Sequence, residues 1–519
     1  MQRRRTGFMR ASASVLAGVC ALAQTAVGAE LPEIASRLPA DADASVIVPS
    51  IERLDARSSQ LLAAMQVTNL SSIEQLLTVM GARNGLDMSR GAAAVLDLPE
   101  EDGAPVGMVF LVPVSDYTVF ASNFVKDIGA QRPGISRFEY FGRPYFIKSL
   151  DGRYAIIGET AESVRTYEPS GDTTGLEQMI GASGASAVSS SDVSLVVDVE
   201  SSSAYVRRLM DRPEVAGALS RLPGGFGVRG MAEARVDELL RDGRGLALSA
   251  TPGQLGLSMG AVVNYREGSE TRTLCQRSTQ ERLIEGLPAG ETFLVGGVDL
   301  DHPAMERWFT GLATDSWLEG VHAVSMAAYM PPPPFMASGG ADRVVIRYES
   351  DDPKVQLAAL AEAQTDEDAP THRGEHAEAY KEYDGVPING WSYFPKQSGM
   401  IHPAIIGQDG DILGASSSRE GAGYVFTTRD RSLIRASMGL DASERLLESD
   451  RVMRQVRGLL PEDPSLELFV APKPLLDEFA SVIGMFIPEF RVLPQVPPVG
   501  MNVTIGGGSA LGSAFVPAP

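Results

Sequence analysis

A strand–turn–helix signature recurs four times along this chain, and any fold must find a place for all four copies. The clearest copy is LPADADASVIVPSIERLDARSSQLLAAM, residues Leu38 to Met65. Pro39 and Asp41 mark a turn, Ser45–Val48 is a short apolar strand, and a helix opens at Ser50. Ser50 is an N-cap residue, because its hydroxyl can accept a bond from an early helical N–H. Ile51, Leu54, Leu61, Leu62 and Met65 then share one helical face. The outline returns at Leu287 (LPAGETFLVGGVDLDHPAMERWF), at Leu460 (LPEDPSLELFVAPKPLLDEFASVI) and, more faintly, at Ser189 (SSSDVSLVVDVESSSAYVRRLM).

Between the openers the pattern is also ordered. Ile73, Leu76, Leu77 and Met80 predict a second helix ended by Gly81. Ala92–Leu98 and Val106–Val114 read as strands, and Asp116–Phe124 as a helix. Phe141-Gly142 and Asp151-Gly152 are hairpin turns joining three strands, the last of which, Tyr154–Ile157, runs into a helix capped near Thr160. Residues 181–194 read as a low-complexity Gly/Ser/Ala stretch, and 245–265 as another hairpin.

The second half repeats this order. Residues 321–334 stand where Ala92–Pro99 stood, 342–363 where 107–124 stood, and YKEYDGVPI answers FEYFGRPYF. YVFTTRDRSLIRAS answers YAIIGETAESVRTY, and 499–517 answers the hairpin at 245–265. Matches in one order predict a tandem duplication: residues 30–265, a polar connection over 266–285, and residues 286–519. The fold class expected is α+β, two homologous halves of mostly antiparallel sheet with helices packed on one face, because short Asp-Gly and Phe-Gly turns favour antiparallel pairing.

Leu38-Pro39-Ala40-Asp41, Phe141-Gly142 with Asp384-Gly385, and Gly158-Glu159-Thr160 carry a resemblance. The chain resembles a family of exported bacterial proteins of unknown function whose repeats open with Leu-Pro-Ala-Asp, a strand and a helix. The resemblance implies a place in the cell envelope and transfers no catalytic residue.

Residues 1–29 read as a signal peptide. Arg3, Arg4, Arg5 and Arg10 form a basic region, Ser14–Val27 an apolar one, and Val27-Gly28-Ala29 a small-residue site with cleavage between Ala29 and Glu30. General secretion and the twin-arginine route both remain open. Cys20 stands in a near lipid-attachment box, but Val19 is too bulky before it. No later run is apolar and long enough to span a bilayer, so no transmembrane segment is expected in the mature chain. Residues 1–29 hold four arginines and no acid, so the remainder carries −25 against −21 for the whole chain. Such a surface repels nucleic acid and anionic lipid. Of two cysteines only Cys275 follows residue 29, so no internal disulfide can form.

Several short motifs suggest chemistry that their flanks oppose. Gly256-Leu257-Ser258-Met259-Gly260 fits G-x-S-x-G, yet no helix signal follows Ser258, and a hairpin strand is the better reading. His372-Arg373-Gly374-Glu375-His376 fits H-x-x-E-H, but it follows a charged, Pro-containing stretch and reads as a solvated linker. Gly225-Phe226-Gly227-Val228-Arg229-Gly230 fits G-x-G-x-x-G without a strand before it, and reads as a flexible lead-in to a helix at Met231–Leu240. Asp299, Asp301 and His302 could do acid–base work or bind a cation, although Asp301 more simply caps the helix that begins with Pro303. The run Pro331–Pro334 reads as a stiff spacer.

No catalytic residue, metal cage or cofactor loop is therefore assigned. The expected role is an exported, periplasmic or extracellular, non-catalytic binding or scaffold protein, its partner an envelope protein. The alternatives are a periplasmic carrier for an apolar ligand and, third, a hydrolase.

Overall fold

The computed structural model describes residues 30–67, 72–99, 106–125, 134–210, 212, 225–277, 283–310, 318–330, 343–365, 372–383, 386–395, 411–417, 422–426, 430–441, 445–473 and 496–518. Residues 1–29, read above as a signal peptide, with Ala29, and the run Pro331–Pro334 lie outside this set. Glu30 opens it, its carbonyl accepting a bond from the Ser189 hydroxyl at 2.9 Å. The chain divides into two compact units, residues 1–276 with 508–513 and 518, and residues 277–507 with 514–517 and 519. The division falls inside the 266–285 segment. Both units combine helices with antiparallel sheet, so the fold is α+β.

The first unit runs β1 (Ala44–Val48), α1 (Ile51–Ala64), α2 (Ile73–Val79), β2 (Ala92–Asp97), β3 (Gly107–Pro113), α3 (Tyr117–Ser122), β4 (Ser136–Tyr140), β5 (Arg143–Leu150) and β6 (Tyr154–Gly158). It continues with α4 (Ala161–Arg165), α5 (Thr174–Ser190), β7 (Val193–Asp198), α6 (Val199–Met210), α7 (Gly225–Asp242), β8 (Gly243–Gly253), β9 (Gly256–Tyr265) and α8 (Glu270–Leu274). Its strands lie in the order β4-β5-β6-β3-β2-β1-β7-β8-β9, every neighbour antiparallel. Two opener strands, β1 and β7, thus pair at the centre.

Local chemistry sets the helix starts. Ser50 accepts from the Arg53 N–H at 3.2 Å, Ser72 and Gln75 form a capping box, and Asp116 and Thr160 cap α3 and α4. Asp192, fully buried before β7, is held by the guanidinium groups of Arg53 at 2.6 Å and Arg57 at 3.1 Å, which pins α1 to that strand. One sheet face buries Ile47, Val95, Leu111, Ile156, Val196 and Ala247 beneath Ile34, Val164 of α4, and Ile180 and Val188 of α5. Alternate residues of β5 and β6 point the other way, where Ile147 and Ala155 join Phe120 of α3, Phe138 and Leu77 of α2.

Two segments carry structure that their composition does not announce. The Gly/Ser/Ala stretch is mostly the second half of α5, kinked at Gly181 (φ 71°). Small side chains let that helix lie close on β8 and β9, so packing outweighs their poor helix propensity. The polar connection over 266–285 contains α8, capped by Ser269 and followed by the buried Cys275.

The β4–β5 turn places Phe141 at φ 47° and Gly142 at φ 73°, while the β5–β6 turn uses Asp151 at φ 50° and Gly152 at φ 75°. Left-handed backbone suits Asp or Asn and strains a bulky residue. Phe141 is 86% exposed and touches chiefly Tyr140, ring centroids 4.5 Å apart. Phe141→Asn is expected to stabilise the unit by about 0.5–1 kcal/mol in urea unfolding. An unchanged or lower midpoint would mean that the ring contact outweighs the backbone strain.

The second unit runs β10 (Thr292–Asp299), α9 (Pro303–Thr310), β11 (Val321–Tyr329), β12 (Val344–Ser350), α10 (Pro353–Thr365), β13 (His372–Tyr383), β14 (Val386–Pro395), β15 (Asp411–Ser417) and β16 (Ala422–Phe426). It continues with α11 (Arg431–Ser437), α12 (Leu446–Ser449), α13 (Arg451–Arg457), β17 (Leu466–Val470) and β18 (Val499–Gly506), and the chain's last strand, β19 (Ser509–Pro517), is divided between the two units. The order is β13-β14-β15-β16-β12-β11-β10-β17-β18, again antiparallel throughout. From β4 to β8 it follows the first unit strand for strand, with β15 additional and no counterpart of β9 in this order, and its opener strands β10 and β17 again pair at the centre. Val295, Ala327, Val345, Phe426 and Phe469 fill its core beneath Ile434 of α11, Leu446 of α12 and Met453 of α13.

Candidate functional site

An antiparallel sheet with one face in water should carry polar residues at alternate positions. The first unit's central strands do not. The register aligns Phe110 with Ala94, Val46, Leu195, Leu248 and Ala261 in one row across β3, β2, β1, β7, β8 and β9. A second row runs Met108, Leu96, Ala44, Val197, Leu246 and Val263. Both rows lie on the face opposite Ile47, Val95 and Ala247, and neither contains a polar side chain. Phe110 remains 36% exposed, Leu248 38% and Met259, further along β9, 40%. Burying such a side chain fully contributes about 1.5–3 kcal/mol, and part of that is not realised here. Helix α1 packs against β8 and β9, yet Ile51 is its one fully buried residue, with Leu54, Leu61 and Leu62 half-buried.

A cleft of about 1030 Å³ opens at the end of β1, β2 and β3. Asp41, Asp43, Asp97, Glu159 and Glu168 line it, with no lysine or arginine among its described lining residues. The Leu98 N–H donates to Asp43 Oδ2 at 2.9 Å. Tyr167 closes the back, its hydroxyl donating to the Arg37 carbonyl at 2.8 Å, and burial pushes that phenol well above its ordinary value. Leu96 and Met108 line the cleft and also belong to the second apolar row. The cleft therefore places acidic side chains beside the Leu96–Met108 end of that row.

The residues singled out in the sequence are not brought together. Ser258 lies within β9 opposite Thr251, exposed, with strand on both sides and so without the strand–turn–helix of a nucleophile elbow. His372 and His376 lie on β13, paired with Pro395 and Trp391 of β14. That corrects the linker reading, since sheet pairing satisfies the backbone whatever the side-chain polarity. It also parts the two residues, because four residues of strand span about 13 Å where four of helix span about 6 Å. Gly225–Gly230 forms the first six residues of α7, which starts six residues before the expected Met231.

Asp299, Asp301 and His302 do lie together, with changed roles. Asp299 is fully buried and its Oδ1 accepts the Asp301 N–H at 3.0 Å. His302, not Asp301, caps α9: its Nδ1 accepts the Ala304 N–H at 3.2 Å, while Nε2 donates to the Arg277 carbonyl at 3.0 Å. Asp301 instead meets His322.

Among the described residues no group of three or more His, Cys, Asp and Glu has a geometry for a metal ion, and no helix is long and apolar enough to cross a membrane. No motif in the sequence marks the apolar rows or the acidic cleft. The available signal was that SLVVDV, GMVFLVP and GLALSA are apolar at consecutive positions, as strands covered on both faces are.

No protein-family model matches the chain, and no curated protein does. Among solved structures, crystal form IV of TP0453 matches at 10% identity over 46% of this chain and 81% of that one, with a TM-score of 0.23. Crystal form III matches at 11% identity over 48% and 89%, also with a TM-score of 0.23. Neither the identity nor the score carries anything from TP0453 to this chain.

Proposed function

We propose that this is an exported, non-catalytic binding protein of the cell envelope whose first unit holds an elongated apolar ligand with a positively charged end. The observation that carries this reading is the pair of apolar rows, which leave Phe110 and Leu248 partly in water on a sheet face that could have been polar. The acidic side chains of the cleft favour a cationic head, and a charge of −25 beyond the signal segment disfavours anionic lipid and nucleic acid. Export is supported by the arginines and apolar run before Ala29. Placement of Ser258 on a strand and of His372 and His376 along another speaks against the hydrolase reading. The shared strand order of the two units supports descent from one duplicated module.

Calorimetric titration of the mature chain with dodecyltrimethylammonium and with dodecanoate, both below micelle formation, tests the proposal. The cation is expected to bind at least about tenfold tighter than the anion. Leu248→Asp should weaken the cation by about tenfold or more. Asp97→Asn with Glu159→Gln should erase the preference while leaving tail binding. Failure of both amphiphiles to bind, with a second polypeptide co-purifying, would replace the ligand by a protein partner and restore the scaffold reading.

A further inference from the structure

His322 stands at the start of β11, between the turn that joins β10 to α9 and the turn that joins β12 to α10. Its Nδ1 lies 2.8 Å from Asp301 Oδ1 in the first turn, and its Nε2 lies 3.2 Å from Asp351 Oδ1 in the second. Ionised carboxylates only accept hydrogen bonds, and a neutral imidazole has a single N–H. The imidazolium alone can satisfy both contacts, whereas a neutral ring must turn a lone pair towards one carboxylate. We propose that His322 is a pH-operated strap, closed at acid pH, that fastens the starts of α9 and α10 over the apolar cluster beneath them.

Asp301 and Asp351 are the charged groups that bear on the ring. The hydrogen bond that the ring donates to Asp301 is the largest cause raising its pKa above the ordinary histidine value; partial desolvation lowers it, and the bond to Asp351 raises it again. Neighbouring groups on the same elements are engaged elsewhere. Asp299 takes the Asp301 N–H, His302 is held between Ala304 and Arg277, and Asp352 Oδ1 takes the Lys354 N–H at 3.1 Å. Beneath the strap Leu300, Val321, Tyr348, Leu357 and Val425 are buried, with Phe309 of α9 packed against them.

Other ties at these turns do not titrate near neutrality. Tyr348 donates to the Pro353 carbonyl at 2.8 Å, Gln356 Nε2 to the Glu319 carbonyl at 2.8 Å, and the Leu300 N–H to the His322 carbonyl at 2.7 Å. Release of the strap therefore loosens the two helix starts without unfolding the unit. A raised folded pKa fixes the sign: the strap is fully made below about 6.5, the unfolded value, and is lost as pH rises through the higher folded value.

Two measurements on the mature chain decide it. In an NMR titration of the imidazole carbons, assigned with His322→Gln, His322 should titrate above the ordinary value, and Asp301→Asn should lower its midpoint more than Asp351→Asn. Exchange protection of the α10 amides, corrected for intrinsic rates, should fall about two- to fivefold between pH 6 and pH 9 in the parent chain and stay level in His322→Gln. A midpoint at or below the ordinary value overturns the strap. So does the same fall in protection with and without His322.

Discussion

Arg457→Met is expected to destabilise the second unit by about 3–5 kcal/mol at pH 7.5, because it strands a buried carboxylate. Glu467 lies on β17 with 2% of its surface exposed. Arg457, in the last turn of α13, grips it with Nε 2.8 Å from Oε2 and Nη2 3.2 Å from Oε1, and reaches Glu285 at 3.5 Å. Burial pushes the Glu467 carboxyl above its usual range even with Arg457 pulling it down. An acid whose folded pKa is raised costs stability as pH rises through that value, and removal of the arginine enlarges the shift. The loss in Arg457→Met should therefore shrink between pH 7.5 and pH 5 as Glu467 takes up a proton. Adding Glu467→Gln should recover part of it at pH 7.5. Urea unfolding at the two pH values measures both effects. A loss under about 1 kcal/mol, as at an exposed pair, or an equal loss at both pH values, would contradict the account.

Much of this architecture is legible in the sequence wherever the deciding chemistry is local. The hydroxyls of Ser50, Ser72 and Thr160 cap helices three residues ahead of the N–H groups they accept from, so a short window contains cause and effect. The turns at Phe141-Gly142 and Asp151-Gly152 are equally local. Residues 181–190 are the opposite case. Gly184, Ser186 and Ser189 weaken a helix on their own, and α5 stands because Ile180, Ala185 and Val188 pack on a sheet whose strands come from both sides of it in the chain. His372–His376 is opaque for a similar reason, since its pairing with β14 is invisible in its polar composition. The apolar rows are a matter of register. LVV and VFLV announce strands apolar on both sides, but that Phe110, Ala94, Val46, Leu195 and Leu248 line up follows only from pairings between strands far apart in the chain. The strap at His322 joins residues 21 and 29 positions away, which no motif spacing announces.

Gly245→Ala should cost about 3–5 kcal/mol, because the added methyl meets backbone and not a side chain that can swing aside. A Cβ at Gly245 of β8 would lie 2.5 Å from the Met179 carbonyl oxygen and 2.8 Å from its carbon. Met179 belongs to the turn of α5 just before the kink at Gly181, where helical bonding is interrupted. Asn264 of β9, itself buried, repairs that interruption by donating Nδ2 to the Met179 carbonyl at 2.9 Å and the Gln178 carbonyl at 3.3 Å. Asn264 is also the β9 partner of Gly245, so a helix lifted off the methyl is lifted off the amide as well. Overpacking and two weakened buried hydrogen bonds then act on one contact, and neither can relax without the other. Gly253→Ala is the control on the same strand, since a Cβ there meets nothing nearer than the Gly256 carbonyl at 3.8 Å. It should change stability by about 0.5 kcal/mol or less. Thermal unfolding of the two variants side by side separates a close helix–sheet approach from the general effect of replacing glycine in β8. Equal shifts in the two would rule the close approach out.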